Sequence, residues 1–97
     1  MPYTRRVVGS FRHKGLEEIY RAGTTRRIGA DRIRTCVRIL GLLEAAGRPE
    51  DMNIEGFRFH GLQGSPKRWS VRVTGSWRVT FGWSGEEAVD VDFEDYH

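Results

Sequence analysis

Residues 68–83 read RWSVRVTGSWRVTFGW. Apolar and polar side chains alternate on both sides of Gly75-Ser76, which is the pattern of two half-buried strands joined by a tight turn. Trp69, Val71 and Val73 share one face of the first strand, and Trp77, Val79, Phe81 and Trp83 share one face of the second. Directly opposed residues of a hairpin point to the same side. A two-residue loop at Gly75-Ser76 would oppose Val73 to Arg78 and send the apolar sets to opposite faces. An odd loop, Thr74-Gly75-Ser76, opposes Val73 to Trp77 and aligns them, so the odd loop is expected. It also sets Arg72 beside Arg78 on the other face. Like charges directly opposed are unfavourable, so a protein acid or a bound anion is needed there.

Further strands are expected at Phe57–Leu62 and Ala88–Phe93, and a short first strand at residues 6–9. Leu16, Ile19 and Tyr20 have helical spacing and Gly23 follows as a stop. A second helix carries the stripe Ile33, Cys36, Val37, Leu40 and Leu43, with Asp31 as its expected cap and Gly47 and Pro49 ending it. Helices first and a strand meander after them give an α+β fold, two helices packed on a small, mostly antiparallel sheet. One domain over residues 1–97 is expected from the length.

Residues 1–49 hold 11 Lys/Arg and 4 Asp/Glu, while residues 50–97 hold 5 and 9. The basic residues are 14 Arg and 2 Lys, and arginine grips phosphate or carboxylate with a planar fork. Nucleic acid or an acidic partner fits this charge, and so does a solvated helix face. The single Cys36 excludes an intrachain disulfide and lies on the apolar stripe, where an inert thiol is expected. No apolar run has the roughly 20 residues of a membrane span, and no export signal is seen, so a cytoplasmic setting is expected.

Asp90, Asp92 and Glu94 alternate with apolar residues of the last strand and are expected on the arginine face, as neutralising partners or as neighbours of a bound phosphate. His60 closes its strand and faces the same side if Phe59 faces the core. The chain ends in Asp95-Tyr96-His97, three groups that move or orient protons. Imidazoles titrate near neutral pH and suit proton transfer. Gln63, Lys67 and Arg68 lie on or beside a Gly-rich hairpin, GLQGSPKR, that can reach a phosphate backbone. It lacks the pattern of a nucleotide loop, and no metal signature or activated Ser or Cys is present, so neither cofactor nor metal is expected. RNA supplies its own nucleophile, the 2′-OH. Cleavage then needs a base, an acid and cations for the extra phosphate charge.

Phe11-x-x-Lys14-Gly15-Leu16, Pro49-Glu50-Asp51-Met52-Asn53, Trp69–Val73, Trp77–Phe81 and Asp90-Val91-Asp92-x-Glu94-Asp95-Tyr96-His97 occur in that order. The ordered set resembles HigB-type toxins of the RelE/ParE superfamily, also called plasmid maintenance killer proteins. The resemblance implies an antiparallel sheet on two N-terminal helices and a ribosome-dependent endoribonuclease acting on mRNA. It also implies a HigA-type helix-turn-helix antitoxin as partner, with the toxin a monomer alone or part of a heterotetramer. The family's site residues then correspond to His60, Arg72, Arg78, Asp95, Tyr96 and His97. Many relatives carry lysine where this chain has Gln63, and Lys67 or Arg68 would take over that phosphate contact. Two other functions stay open: a ParE-like gyrase inhibitor without enzymatic activity, and a basic RNA-binding module without turnover.

Overall fold

A computed structural model describes residues 7–96. Helix α1 (Lys14–Ala22) and helix α2 (Ala30–Ala45) are followed by a 3-10 turn (Pro49–Met52) and four strands. These are β1 (His60–Leu62), β2 (Arg68–Thr74), β3 (Trp77–Ser84) and β4 (Glu87–Asp95), which form one antiparallel sheet in the order β1-β2-β3-β4. The helices cover one face of this sheet, giving the expected α+β architecture. Leu16, Ile19, Cys36, Ile39, Leu40 and Leu43 meet Val71, Val79, Phe81, Val91 and Phe93 in the core.

α1 starts at a histidine. Nδ1 of His13 accepts from the Gly15 and Leu16 amides at 3.0 and 3.3 Å, taking the place of the usual capping oxygen. The helix stops at Gly23, which is left-handed (φ 83°) and donates its N–H to the Ile19 carbonyl at 2.7 Å.

α2 is capped by Gly29, and Asp31 lies inside the first turn without a capping bond, one correction to the sequence reading. Its apolar stripe is also rotated. At about 100° per residue, Ile39 comes within about 60° of the Cys36 direction while Val37 turns about 100° away. Ile39 is accordingly buried and Val37 is 45% exposed. Burial pushes the Cys36 thiol up to about 11, which makes it inert at neutral pH.

The expected strand at residues 6–9 does not form in residues 7–9, and residue 6 lies outside the described part. Gly9 donates instead to Ala88 O, Ser10 accepts from Val91 N–H, and Phe11 makes one parallel bridge to Val91. A Cβ on Gly9 would fall 2.5 Å from Glu87 Oε1, so glycine permits this approach to β4.

Two strand details differ from the sequence reading. The β2–β3 turn has two residues, Gly75-Ser76, because Thr74 opposes Trp77. Val73 is an extra residue bulged out of β2, so Arg72 still opposes Arg78 and Val71 still opposes Val79. A second slip lies between Thr80↔Asp92 and Gly82↔Val89, where Phe81 faces two residues, Asp90 and Val91. It turns Val89 to the outer face, where a Cβ on Gly82 would meet it at 3.5 Å, and Ala88 is buried in its stead. The strand expected from Phe57 begins only at His60, since Arg58 has φ 48° and breaks the extended run.

The His13 cap requires a neutral imidazole. Burial lowers its pKa from 6.5 against the opposing pull of Asp92, and Arg27 lowers it further. An unfolded imidazole takes up its proton first as pH falls, so the stability contributed by the cap is present above about pH 6.5 and is lost as pH falls through the lower native value. Replacing His13 by Ala should cost about 1 kcal/mol in urea unfolding at pH 7.5, and the difference from wild type should shrink at pH 5.

Candidate functional site

The outer face of the sheet is built in rows. Register places His60, Ser70, Thr80 and Asp92 in one row, and Arg72, Arg78 and Glu94 in the next. Arg72 Nε and Arg78 Nη1 converge on one carbonyl, that of Gly75, at 3.3 and 3.4 Å. Among the described residues neither guanidinium is ion-paired. Glu94 sits opposite Arg78, but its carboxylate accepts from the Thr80 hydroxyl instead. The Thr80 oxygen in turn accepts from Arg68 Nη2 at 3.0 Å, and the same nitrogen donates to the Asp90 carbonyl at 2.9 Å.

This small network decides where charge is available. Thr80 is fully buried, and its one hydroxyl both donates and accepts. Burial and the nearby Arg12 guanidinium lower the Arg68 pKa, while Glu94, Asp90 and Asp92 oppose that shift. The Glu94 carboxylate is thus engaged by Thr80, and among the described residues no carboxylate pairs with the Arg72 or Arg78 guanidinium. Asp92 and Glu94 lie on the arginine face as expected. Asp90 is a left-handed residue (φ 50°) at the β4 slip, and its side chain accepts from Ser10 Oγ at 3.3 Å.

His60 stands at the start of β1 on the outer face, with Nδ1 3.0 Å from the Arg58 carbonyl. A carbonyl only accepts, so this contact is a hydrogen bond in the tautomer that carries its proton on Nδ1 and its lone pair on Nε2. Tyr96 follows β4, anchored by its N–H to Ser76 O at 2.8 Å, and is 41% exposed. Burial and the Glu94 and Asp92 carboxylates raise the Tyr96 pKa, while Arg68 and Arg78 oppose, so its phenol is a protonated donor amid the arginine-face charges. Four residues along β4 and three strand spacings separate the rows of His60 and Tyr96, about 13 Å one way and about 14 Å the other. The arginine pair lies between them.

Asp95 departs from the set. It opposes Trp77, which stacks on Phe93 at 4.6 Å on the helix side, and it accepts from Ser76 Oγ. Its carboxylate thus lies on the face opposite the arginines. His97 lies outside the described residues. Arg68 is on the arginine face, whereas Lys67 turns the other way, 6.0 Å over the Trp69 ring with Nζ bonded to Leu62 O. Gln63 is exposed in the β1–β2 loop. Thr80 and Arg12 were missed by sequence reasoning. Thr80 was findable, since it alternates with Val79 and Phe81 and so shares the Arg78 side. A cleft of about 440 Å³ between α1 and α2, lined by Ile19, Tyr20, Val37 and Leu40, lies away from this face.

A family model described as the RelE-like toxin of the type II toxin-antitoxin system HigB matches residues 9–97. The chain belongs to this HigB-like toxin family. A curated relative, Endoribonuclease HigB of Proteus vulgaris, is 29% identical over 92 residues, covering 94% of this chain and all of the relative. The family match takes in both helices, the arginine face and Tyr96. The toxin therefore belongs to a toxin–antitoxin pair. No helix among its described residues is long and apolar enough to cross a membrane.

Ultraviolet titration of the toxin, with Tyr96→Phe as the difference reference, should show the Tyr96 phenolate appearing above the ordinary tyrosine range near pH 10. Glu94→Gln should bring it down. A Tyr96 signal at or below the ordinary value would contradict its placement among these acids.

Proposed function

We propose that the toxin is an endoribonuclease that cleaves mRNA on the ribosome and so stops translation. The observation that carries this reading is the Arg72–Arg78 pair. Two opposed guanidiniums share a carbonyl, and no carboxylate among the described residues pairs with them, an arrangement suited to a bound anion. Their repulsion at an exposed site is on the order of 1 kcal/mol, which a phosphate between them would reverse in sign. The name of the Proteus vulgaris relative supports the same class of activity.

The chemistry follows from what each group can do. His60 Nε2 takes the proton of the RNA 2′-OH. The 2′-oxygen attacks phosphorus, the O2′–P bond forms, and Arg72 and Arg78 hold the extra negative charge of the phosphorane. The P–O5′ bond then breaks, the leaving oxygen receives a proton from His97, and the products are a 2′,3′-cyclic phosphate and a 5′-hydroxyl. Tyr96 donates to the phosphate or stacks on a base. Arg68 and Gln63 contact the flanking backbone, with Lys67 as a further contact from the loop edge. The 2′-OH is the nucleophile, so the reaction requires neither a metal nor a protein nucleophile.

The 70S ribosome positions the mRNA on this outer face of the sheet. The antitoxin is proposed to be a HigA-type helix-turn-helix protein, with the toxin a monomer when free and part of a heterotetramer when neutralised. Both would act in the cytoplasm, where the ribosomes are.

On programmed ribosomes, Arg72→Ala and Arg78→Ala should each lower single-turnover cleavage by about 10²–10³ while leaving the protein folded. Undiminished cutting by Arg78→Ala and His97→Ala would overturn the assignment. So would upstream fragments ending in a free 3′-hydroxyl.

A further inference from the structure

Two non-glycine residues among those described have left-handed backbones, Arg58 (φ 48°) and Asp90 (φ 50°). Glycine is the ordinary occupant of that region. Both residues sit where strand pairing slips at the border of the arginine face. Asp90 is one of two β4 residues facing Phe81. Arg58 is its counterpart on the other side of the sheet. Extending the His60↔Ser70 register by two residues would oppose Arg58 to Arg72, yet the Arg72 N–H donates to Phe57 O at 2.6 Å.

The two slips have the same consequence. Each turns a backbone carbonyl toward a side chain of the outer face. Asp90 O receives Arg68 Nη2 at 2.9 Å, and Arg58 O receives His60 Nδ1 at 3.0 Å. In a regular strand this would not happen. Carbonyls lie in the plane of the sheet while side chains stand out of it, so residue i−2 offers its oxygen sideways and not to the ring above.

We propose that Arg58 is a positioning residue whose left-handed backbone aims its carbonyl at His60 Nδ1, fixing the tautomer that leaves Nε2 as the lone pair facing the RNA. A free neutral histidine prefers its proton on Nε2, so the strained carbonyl selects the less common form. Positioning through a backbone oxygen adds no second titrating group beside the imidazole. It also leaves the exposed Arg58 guanidinium available to the nucleic-acid backbone, which a glycine at this position would not offer.

The tautomer itself is independent of the nuclease reading, and only the kinetic consequence rests on it. Nitrogen-15 NMR of the whole toxin, with His60→Gln to assign the signals, should show a protonated Nδ1 and an unprotonated Nε2 for neutral His60. A predominantly Nε2-protonated ring in the wild type would overturn the proposal whatever the toxin cleaves.

The second arm compares Arg58→Gly with Arg58→Val. Both lack the guanidinium, but only glycine accepts the left-handed backbone freely. Arg58→Gly should keep the wild-type tautomer and a near wild-type kcat, with KM raised by the lost charge. Arg58→Val should mix the tautomers and lower kcat about ten-fold relative to Arg58→Gly, the rate equivalent of one hydrogen bond. Arg58→Ala, which disturbs folding less, should fall between them. Equal kcat values and tautomers across the three variants would refute the positioning role. Absence of cleavage in every form, with the tautomer as proposed, would instead defeat the nuclease reading.

Discussion

The register of the β2–β3 hairpin is the constraint on which the rest of the structure depends. A two-residue turn at Gly75-Ser76 alone would put the two apolar sets on opposite faces. The bulge at Val73 supplies the missing residue, so Trp69 opposes Phe81 and Val71 opposes Val79 on the helix side. Trp69 and Phe81 then stack at 6.0 Å, Val71 and Val79 are fully buried, and α1 and α2 have a surface to cover. The same register forces Arg72 against Arg78 on the outer face. Core and site are thus two sides of one pairing decision. Opposed like charges in a sheet cost roughly 0.2–1 kcal/mol, a load that the fully buried cross-strand pair on the reverse side can carry.

Much of this was legible in the alternation of residues 68–83, because a period of two assigns every side chain to a face. It fails where the chain inserts a residue. At Val73 parity alone still demanded an odd count, and the sequence reading placed the extra residue in the loop when it lies in the strand. At Asp90 nothing local announced the slip. A left-handed aspartate looks like any strand acid in sequence, so simple alternation through residues 89–94 does not show that Val89 pairs with Gly82 on the outer face. Asp95 illustrates the limit differently. Proximity in sequence to Tyr96 suggested a shared role, but adjacent strand residues face opposite sides, and Asp95 opposes Trp77 on the helix side.

The charges of the outer face follow a division of labour. Thr80 occupies the Glu94 carboxylate and helps hold Arg68, while Asp90 contributes only its carbonyl. Burial of Thr80 makes this network costly to disturb, since a buried hydroxyl or carboxylate without a partner is unfavourable. With Glu94 held by Thr80, and Arg68 held by Thr80 and the Asp90 carbonyl, Arg72 and Arg78 are outer-face cations without an ion-pair partner among the described residues. His60 stands to one side of them and Tyr96 to the other, which suits an extended strand of RNA better than a compact ligand. The family match over residues 9–97 takes in this whole face.

We propose that Arg72 and Arg78 are set against each other for an external anion and do not stabilise the free protein as a pair. A double-mutant cycle in urea unfolding tests this most directly, with wild type, Arg72→Ala, Arg78→Ala and the double variant compared at low salt without RNA. The coupling between the two arginines should be unfavourable, on the order of 0.5 kcal/mol, and should weaken as salt is added. A favourable coupling, with each arginine supporting the other in the free protein, would contradict it.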